Sequence, residues 1–269
     1  MALDLAQLPK TEAQDSRHRA LIQGSHLTKI YATSTGPLVA LDDVSFDIRE
    51  GEFVSLVGPS GCGKSTLLSL LGGLEERSEG TLTLNGQDLD RPRPDIGFML
   101  QTAVLFPWRS VMENIRLPGA ILGLDRKAQA ERCQELLELV GLAGFGDRYP
   151  NELSGGMRQR VALARLLAHD PDVLLMDEPF GALDEFTRET MNLELLRIWS
   201  ATGKTVVFVT HNIGEAVFLS DRVFVMTPRP GRLAGVVEID LPRPRQTEMM
   251  REPRYSELVF DIRHMLGVD

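Results

Sequence analysis

One stretch of the sequence decides the fold: Gly58-Pro59-Ser60-Gly61-Cys62-Gly63-Lys64-Ser65-Thr66. An apolar run at 53–57 precedes it and a leucine-rich run at 67–71 follows it, so we expect a strand, a glycine loop and a helix in that order. Glycines let the backbone wrap closely around phosphate groups, with N–H groups and the positive end of the helix pointing at them. Lys64 adds a mobile charge, and the Ser65 hydroxyl is suited to Mg2+. The stretch predicts a cradle for nucleotide phosphates, and the alternative is a flexible surface turn.

Composition and charge narrow the class of protein. The chain has 269 residues, 43% of them hydrophobic, which is enough to bury a substantial core. A formal net charge of −9 argues against a general nucleic-acid-binding surface, since clustered Lys and Arg hold phosphate backbones. Cys62 and Cys133 are too few for a disulfide scaffold or a structural zinc site. No apolar run approaches the about 18 residues of a membrane span, and residues 1–19 lack the apolar segment of a secretory signal, so we expect a cytoplasmic chain.

The region 222–254 departs from this acidic average. It contains seven arginines against four acidic residues, a local excess of positive charge. A solvated charged face is one interpretation of such a region, and a contact with a partner or with lipid headgroups is the other.

Three short runs are apolar throughout instead of alternating: residues 53–57, 173–176 and 206–209. Strands that are buried on both faces, as in a parallel sheet flanked by helices, have this pattern. Between the runs lie helical patterns such as 126–140, where the apolar residues fall on one face. The alternation of the two patterns predicts an α/β fold with a mainly parallel sheet.

Other segments predict two additions to that sheet. Alternation with period two at 44–48 and 82–84 suits an antiparallel β subdomain beside the main sheet. Residues 101–167 contain no convincing strand, so we expect an inserted helical subdomain there. Beyond residue 227 several prolines favour extended backbone, and the apolar spacing at 258–266 predicts a final helix. The expected division is an N-terminal tail at 1–20, a main domain at 21–226 and a C-terminal extension at 227–269.

Two carboxylates, Asp177 and Glu178, follow the second apolar run. The carboxyl edge of an open α/β sheet is where ligands bind. Next to a phosphate cradle, Asp177 can reach a magnesium shell through water, and Glu178 can polarise an attacking water as a general base. Solvated acids at a strand end are the alternative.

Ser154 stands at the head of another predicted helix, with Gly155 and Gly156 directly after it. Serine is suited to the N-cap position, and the two glycines leave the helix N-terminus bare. Bare helix N-termini attract anions, which suggests a second phosphate contact. An ordinary helix cap explains the same residues equally well.

Taken in chain order, these motifs resemble the ATP-binding subunit of ABC transporters over about residues 21–226. The resemblance rests on the cradle at 58–66, LSGGMRQR at 153–160, LLMDEP at 174–179, Ala182-Leu183-Asp184 and His211. It implies a P-loop NTPase core that binds ATP with Mg2+ and hydrolyses ATP, with Lys64 among the catalytic residues. The chain differs from the usual signature motif at Met157, where the family has glutamine.

The same resemblance implies roles for further residues. Gln101 is similar to the glutamine of the Q-loop, near both the metal and the reaction, and Tyr31 is similar to the aromatic residue that stacks on adenine. His211 matches the switch histidine that contacts the γ-phosphate. Asp184 matches the aspartate of the D-loop at the dimer interface.

The resemblance also implies an assembly. Two copies of the chain would face each other head to tail around two ATP molecules, so that Ser154 and Gly156 of one copy complete the site of the other. The implied partners are a membrane permease, which docks on the helical subdomain, and indirectly a solute-binding protein. The chain would then lie at the cytoplasmic face of the inner membrane, held there by the permease.

Two local stretches resemble importers of nitrate, sulfonate, taurine and related small compounds: Phe106-Pro107-Trp108-Arg109 and residues 225–232. The aromatic side chains of the first stretch are expected either in the core or on a surface that docks the permease. Two other functions stay open at this point. One is a soluble ABC-type ATPase that acts on ribosomes or DNA, and the other is a nucleotide-binding regulatory module without turnover.

Overall fold

The computed structural model describes residues 20–268, so the expected tail at 1–20 lies outside the described residues except for its last position. Within that range the chain forms two sheets and a set of helices. The strands are β1 Ala20–Thr33, β2 Gly36–Arg49, β3 Phe53–Val57, β4 Glu79–Leu84, β5 Gln87–Asp88, β6 Ile96–Met99, β7 Val173–Asp177, β8 Thr205–Val209, β9 Arg222–Met226 and β10 Leu233–Glu238. The helices are α1 Lys64–Leu71, α2 Val111–Ile121, α3 Arg126–Leu139, α4 Gly155–Leu167, α5 Glu185–Thr202, α6 Ile213–Leu219 and α7 Pro253–Met265.

The larger sheet has the strand order β10-β9-β3-β8-β7-β6. All neighbouring strands from β9 to β6 run parallel, and only β10 is antiparallel to its neighbour. In the register of this sheet, Val209 of β8 lies beside Leu56 of β3 on one side and beside Asp177 of β7 on the other. The loops that leave β3, β7 and β8 therefore start from the same edge of the sheet.

The apolar runs of these strands reflect burial on both faces. In β7, Leu174 and Met176 belong to the core that includes the helical subdomain, whereas Val173 and Leu175 belong to the core shared with the smaller sheet. Every residue of β3 is buried. The prediction of a mainly parallel sheet buried on both faces is confirmed, with the helical subdomain on one face and α1 with the smaller sheet on the other.

The smaller sheet is antiparallel with the order β2-β1-β4-β5, as the alternating pattern predicts. Its inward residues, such as Leu82 and Leu84, pack with those of α1 into one core, while the intervening residues of the strands face outward. The tight turn between β4 and β5 is formed by Asn85 and Gly86, both at positive φ.

The helical subdomain lies between β6 and β7 and consists of α2, α3 and α4. Its first helix begins with a reciprocal cap, since the backbone N–H of Ser110 donates to the Glu113 carboxylate and the backbone N–H of Glu113 donates to the Ser110 hydroxyl. No strand interrupts residues 101–167, which agrees with the expected helical insertion.

The C-terminal residues continue the larger sheet. Strand β10 pairs with β9, and α7 packs against α6 and β10 through the buried side chains of Leu258 and Ile262. The extended segment and the final helix agree with the sequence pattern. The domain boundary between 226 and 227 stays a prediction.

Most arginines of the region 222–254 have partners within the fold. Arg222 is buried and pairs with the equally buried Glu52, its Nε 2.5 Å and its Nη2 2.8 Å from the two carboxylate oxygens. Arg243 pairs with Asp221, and Arg245 donates to the backbone carbonyl of Val217. The interpretation as a solvated face therefore holds for only part of this region, since the remaining four arginines are exposed. Arg243 and Arg245 connect the C-terminal segment to the residues around the end of α6.

We expect Glu52→Ala to destabilise the protein by about 3–5 kcal/mol, because removal of one partner leaves the other charge buried and unpaired. The free energy of unfolding in urea measures this loss. Glu50→Ala is the matched control: Glu50 is exposed, and its removal should change stability by less than about 0.5 kcal/mol. Equal effects of the two substitutions would contradict a structural role for the buried pair.

Candidate functional site

The glycine loop is held closely against β2. Gly63, the N-cap of α1, has φ 103°, and a Cβ placed there would lie 2.7 Å from Leu41 Cδ2 and 2.9 Å from the Ala40 carbonyl oxygen. A side chain at this position would thus be strained and would clash. Lys64 is buried within the loop, where its Nζ donates to the carbonyls of Gly58 at 2.8 Å and Pro59 at 3.1 Å.

The start of α1 is electrostatically suited to an anion. The first turn of the helix contains no acidic residue, and Lys64 lies at its first position. The N–H groups of a first helical turn have no partners within the helix, and the helix dipole is positive at that end. The expected phosphate cradle therefore has both the backbone shape and the charge that a phosphate chain requires.

Ser65 and Asp177 come together across the edge of the sheet. The Ser65 hydroxyl donates to Asp177 Oδ1 at 3.2 Å, although 112 residues separate the two in sequence. The contact follows from the topology, because α1 begins after β3 and Asp177 ends β7. Both residues present oxygen atoms, the ligand type that Mg2+ prefers.

Glu178 lies at the centre of a second contact group. His211 Nε2 is 2.5 Å from Glu178 Oε1, and Gln101 Nε2 donates to Glu178 Oε2 at 3.4 Å. The backbone of Glu178 has φ 45°, a left-handed conformation that costs free energy in a residue with a side chain. Strained backbone of this kind clusters at functional sites, and here it directs the carboxylate between the two side chains.

Helix α4 supports the segment around Gln101. Gln159 is buried and donates through Nε2 to the Gln101 carbonyl at 3.0 Å. Arg165 donates to the carbonyls of Ala103 at 2.8 Å and Val104 at 2.9 Å. The sequence pattern does not reveal either role, because polar side chains on an amphipathic helix are usually solvated and nothing distinguishes these two from their neighbours.

Ser154 and Asp184 form a separate group, in which each residue caps its own helix. The Ser154 hydroxyl accepts from the Met157 N–H at 3.3 Å at the start of α4. Asp184 accepts from the N–H of Thr187 at 3.0 Å and from its hydroxyl at 2.7 Å at the start of α5, and these bonds hold the pKa of Asp184 below its ordinary value. A Cβ on Gly156 would lie 3.0 Å from Thr187 Cγ2, so the two caps are neighbours.

Two other residues from the sequence analysis have local partners. The Met157 side chain is half-buried against the core beside the helical subdomain. Tyr31 lies on β1, and the Lys29 ammonium is 4.7 Å from the centroid of its ring. Its stacking on adenine stays a prediction.

Together, the fold and the site define the class. A glycine loop between a buried parallel strand and a helix, with an acidic pair at the end of β7 beside it, is the arrangement of a P-loop NTPase. No helix within residues 20–268 has the length and apolarity needed to cross a membrane.

The comparisons with known proteins then identify the family. The profile of the ABC transporter family matches residues 41–181. A taurine import ATP-binding protein of Rhizobium johnstonii is 46% identical over 253 residues, which cover 91% of this chain and 96% of that protein. A nitrate import ATP-binding protein of Synechococcus elongatus is 49% identical over 227 residues, 83% of this chain and 34% of that protein. The chain belongs to the ABC transporter family and is one of its ATP-binding, ATP-hydrolysing proteins.

Solved structures agree with this assignment. A structure described as a dimeric bacterial ABC transporter cassette matches with a TM-score of 0.72 and 34% identity, over 82% of this chain and 100% of that one. A second structure of the same cassette, described as a post-hydrolysis dimer bound to ADP and phosphate, matches with a TM-score of 0.72 and 33% identity. The predicted P-loop core with an antiparallel and a helical subdomain is confirmed.

We expect Gly63→Ala to weaken ATP binding at least about tenfold, or about 1.4 kcal/mol, because the added methyl group pushes the loop away from β2. Titration with a fluorescent ATP analogue measures the affinity. Gly86→Ala is the control, since Gly86 also has positive φ, at 73°, but a Cβ there meets no atom within 4 Å. Equal affinities for the two variants would contradict the assigned cradle.

Proposed function

We propose that this chain is the ATP-hydrolysing subunit of an importer, and that a membrane permease carries taurine, another sulfonate, nitrate or a similar small compound. The names of the two relatives described above support the import function and this class of solute. The single observation that carries the catalytic part is the sharing of the Glu178 carboxylate between His211 and Gln101. A soluble ABC-type ATPase acting on ribosomes or DNA is the alternative.

In the proposed mechanism, Glu178 is the general base that polarises the attacking water. A base must lie in one orientation relative to the water that it activates, and the contacts from His211 and Gln101 support such an orientation. Lys64 binds the β- and γ-phosphates. Its ammonium group would then leave the loop carbonyls that it contacts in this structure. His211, which already lies against the Glu178 carboxylate, would contact the γ-phosphate.

The donor set beside the cradle fits Mg2+. Ser65 and Asp177 already lie within hydrogen-bond distance of each other. Gln101, whose amide nitrogen contacts Glu178 next to Asp177, would contribute its side-chain oxygen. Ser65 and Gln101 would hold the ion directly, and Asp177 through water. When bound, Mg2+ would neutralise the charge that accumulates on the phosphate oxygens during transfer.

We further propose a twofold homodimer with two shared sites. The polar side chains of Ser154 and Asp184 bond within their own caps, and neither bonds to the cradle or to Glu178. Ser154, Gly155 and Gly156 would therefore bind the phosphates of ATP held by the partner copy, with Asp184 at the interface. The dimeric state of the similar cassette structure supports this arrangement.

The segment that follows Gln101 is suited to dock a permease. Asn114 is fully buried and fixes this segment by accepting from the Phe106 N–H at 2.8 Å and donating to the carbonyls of Phe106, Arg109 and Ser110. The Trp108 side chain on this rigid loop is 71% exposed, while Phe106 is half-buried. Docking there would hold the chain at the cytoplasmic face of the inner membrane, with a solute-binding protein acting on the other face.

Glu178→Gln should reduce the turnover number for ATP at least about hundredfold while ATP binding persists, since the amide cannot accept the proton of the attacking water. Steady-state phosphate release measures turnover, and gel filtration with ATP and Mg2+ should detect a trapped dimer. Glu257→Gln removes an exposed carboxylate on α7 and should leave both readouts unchanged. Full turnover by the Glu178 variant would refute its assignment as the base.

Trp108→Ala should abolish co-purification with the permease, whereas ATP hydrolysis by the isolated chain should stay within about twofold of wild type, because an exposed interface aromatic contributes to binding and not to the fold. Phe260→Ala is the control, as Phe260 is 61% exposed on α7 away from the docking loop. Recovery of the chain with ribosomes or DNA in place of a multispanning membrane protein would favour the alternative function.

A further inference from the structure

Glu215 is a buried carboxylate that the proposed mechanism does not use. It lies on α6, four residues beyond His211, and only 8% of its surface is exposed. Burial raises the pKa of its side chain above the ordinary value. Burial of an acid costs free energy unless specific partners bond to it, so the contacts of Glu215 indicate its role.

These contacts close a ring of hydrogen bonds around the turn that carries His211. The Thr210 hydroxyl donates to Glu215 Oε2 and accepts from the Asn212 N–H at 3.0 Å. The Asn212 side chain in turn accepts from the Glu215 N–H at 3.1 Å, which caps α6. His211 is the residue between Thr210 and Asn212, and its own side chain is free to point at Glu178.

The direction of these bonds makes Glu215 necessary to the ring. The Thr210 hydroxyl has one proton to donate, and the Asn212 N–H, itself a donor, cannot accept it, so the proton needs a separate acceptor. Thr210 is 4% exposed, so water is not an easy substitute. Without an oxygen at position 215, the hydroxyl proton would stay buried and unpaired, and the turn would have to rearrange.

The same carboxylate faces the helix that follows Asp184. Against the larger effect of burial, the pKa of the Glu215 carboxyl is lowered by Thr210 and by Asn192 and Arg188, the last two on α5. The charge of Glu178 raises it. Within the described residues, Glu215 Oε1, Asn192 Oδ1 and Arg188 Nε are buried without a hydrogen-bond partner. Glu215 thus lies between the turn of His211 and the helix whose N-cap is expected at the dimer interface.

We infer that Glu215 is a positioning residue. It holds the turn of Thr210, His211 and Asn212 in a fixed position relative to α5, so that the His211 imidazole faces Glu178. This inference rests on the proposed role of His211 in ATP hydrolysis. Within the described residues, Glu215 hydrogen-bonds to neither the phosphate cradle nor the acidic pair, and it senses Glu178 only through its charge. Its loss should therefore slow the chemical step and leave ATP binding unchanged.

The test uses substitutions at both ends of the bond in the full-length chain. Glu215→Leu removes the acceptor, and Thr210→Val removes the hydroxyl with little change of shape. Glu215→Gln keeps an oxygen that can accept from Thr210, and Thr210→Ser keeps the hydroxyl, so these two are the conservative controls. For each variant, the turnover number and KM for ATP are measured together with the thermal midpoint, beside His211→Ala.

We expect Glu215→Leu and Thr210→Val to lower the turnover number about tenfold or more with KM unchanged within about twofold, since misplacement of a catalytic group by about 1 Å can cost about hundredfold. Both conservative variants should recover most of the activity. The double variant should be no slower than either single one, because both changes remove the same bond.

Several results would overturn the inference. One is a normal turnover number in Glu215→Leu and Thr210→Val while His211→Ala is inactive. Others are a loss that Thr210→Ser does not rescue, a KM that rises as much as turnover falls, and losses that multiply in the double variant. If Glu215→Leu fails to fold, the comparison of Thr210→Val with Thr210→Ser still decides. Normal turnover by His211→Ala would instead overturn the proposed role of His211 itself.

Discussion

The parallel register of β3, β8 and β7 is the constraint on which the site depends. Val209 lies level with both Leu56 and Asp177, so three chain segments that are distant in sequence leave the sheet at one edge. The glycine loop, the acidic pair and the turn of His211 follow directly from those strand ends. Any shift of one strand by two residues would move its loop by about 7 Å, more than a hydrogen bond can span.

Helix α4 connects the segment of Gln101 with the residues proposed to contact the nucleotide of the partner copy. Its N-terminus carries Ser154 and the two glycines proposed to contact the partner's nucleotide, and its body holds the Gln101 carbonyl through Gln159. A movement of the helical subdomain therefore displaces both groups together. This mechanical connection offers a physical basis for the proposed coupling of ATP turnover to a permease.

Buried polar contacts have a similar linking role elsewhere in the fold. The pair of Glu52 and Arg222 joins the start of β3 to the start of β9. Glu215 lies between the turn of His211 and the side chains of α5. Desolvation of such groups costs free energy, and their mutual attraction and hydrogen bonds offset this cost only in one geometry. They favour a unique arrangement of the loops over a merely compact one.

The sequence by itself determined the layers of this protein and the identity of its motifs. Runs that are apolar throughout predict burial on both faces, and a glycine loop between a strand and a helix predicts a phosphate cradle, so these features follow from local chemistry. Strand β6 was not predicted: it contains Gly97, where a Cβ would lie 2.6 Å from Leu166 Cδ1, and only the close packing of α4 explains the glycine. Nothing in the sequence distinguishes Glu215 from the other acidic residues of the chain. Only the tertiary structure decided its burial and its partner Thr210, because contacts between side chains depend on how packed elements orient them, which no periodicity in the chain records.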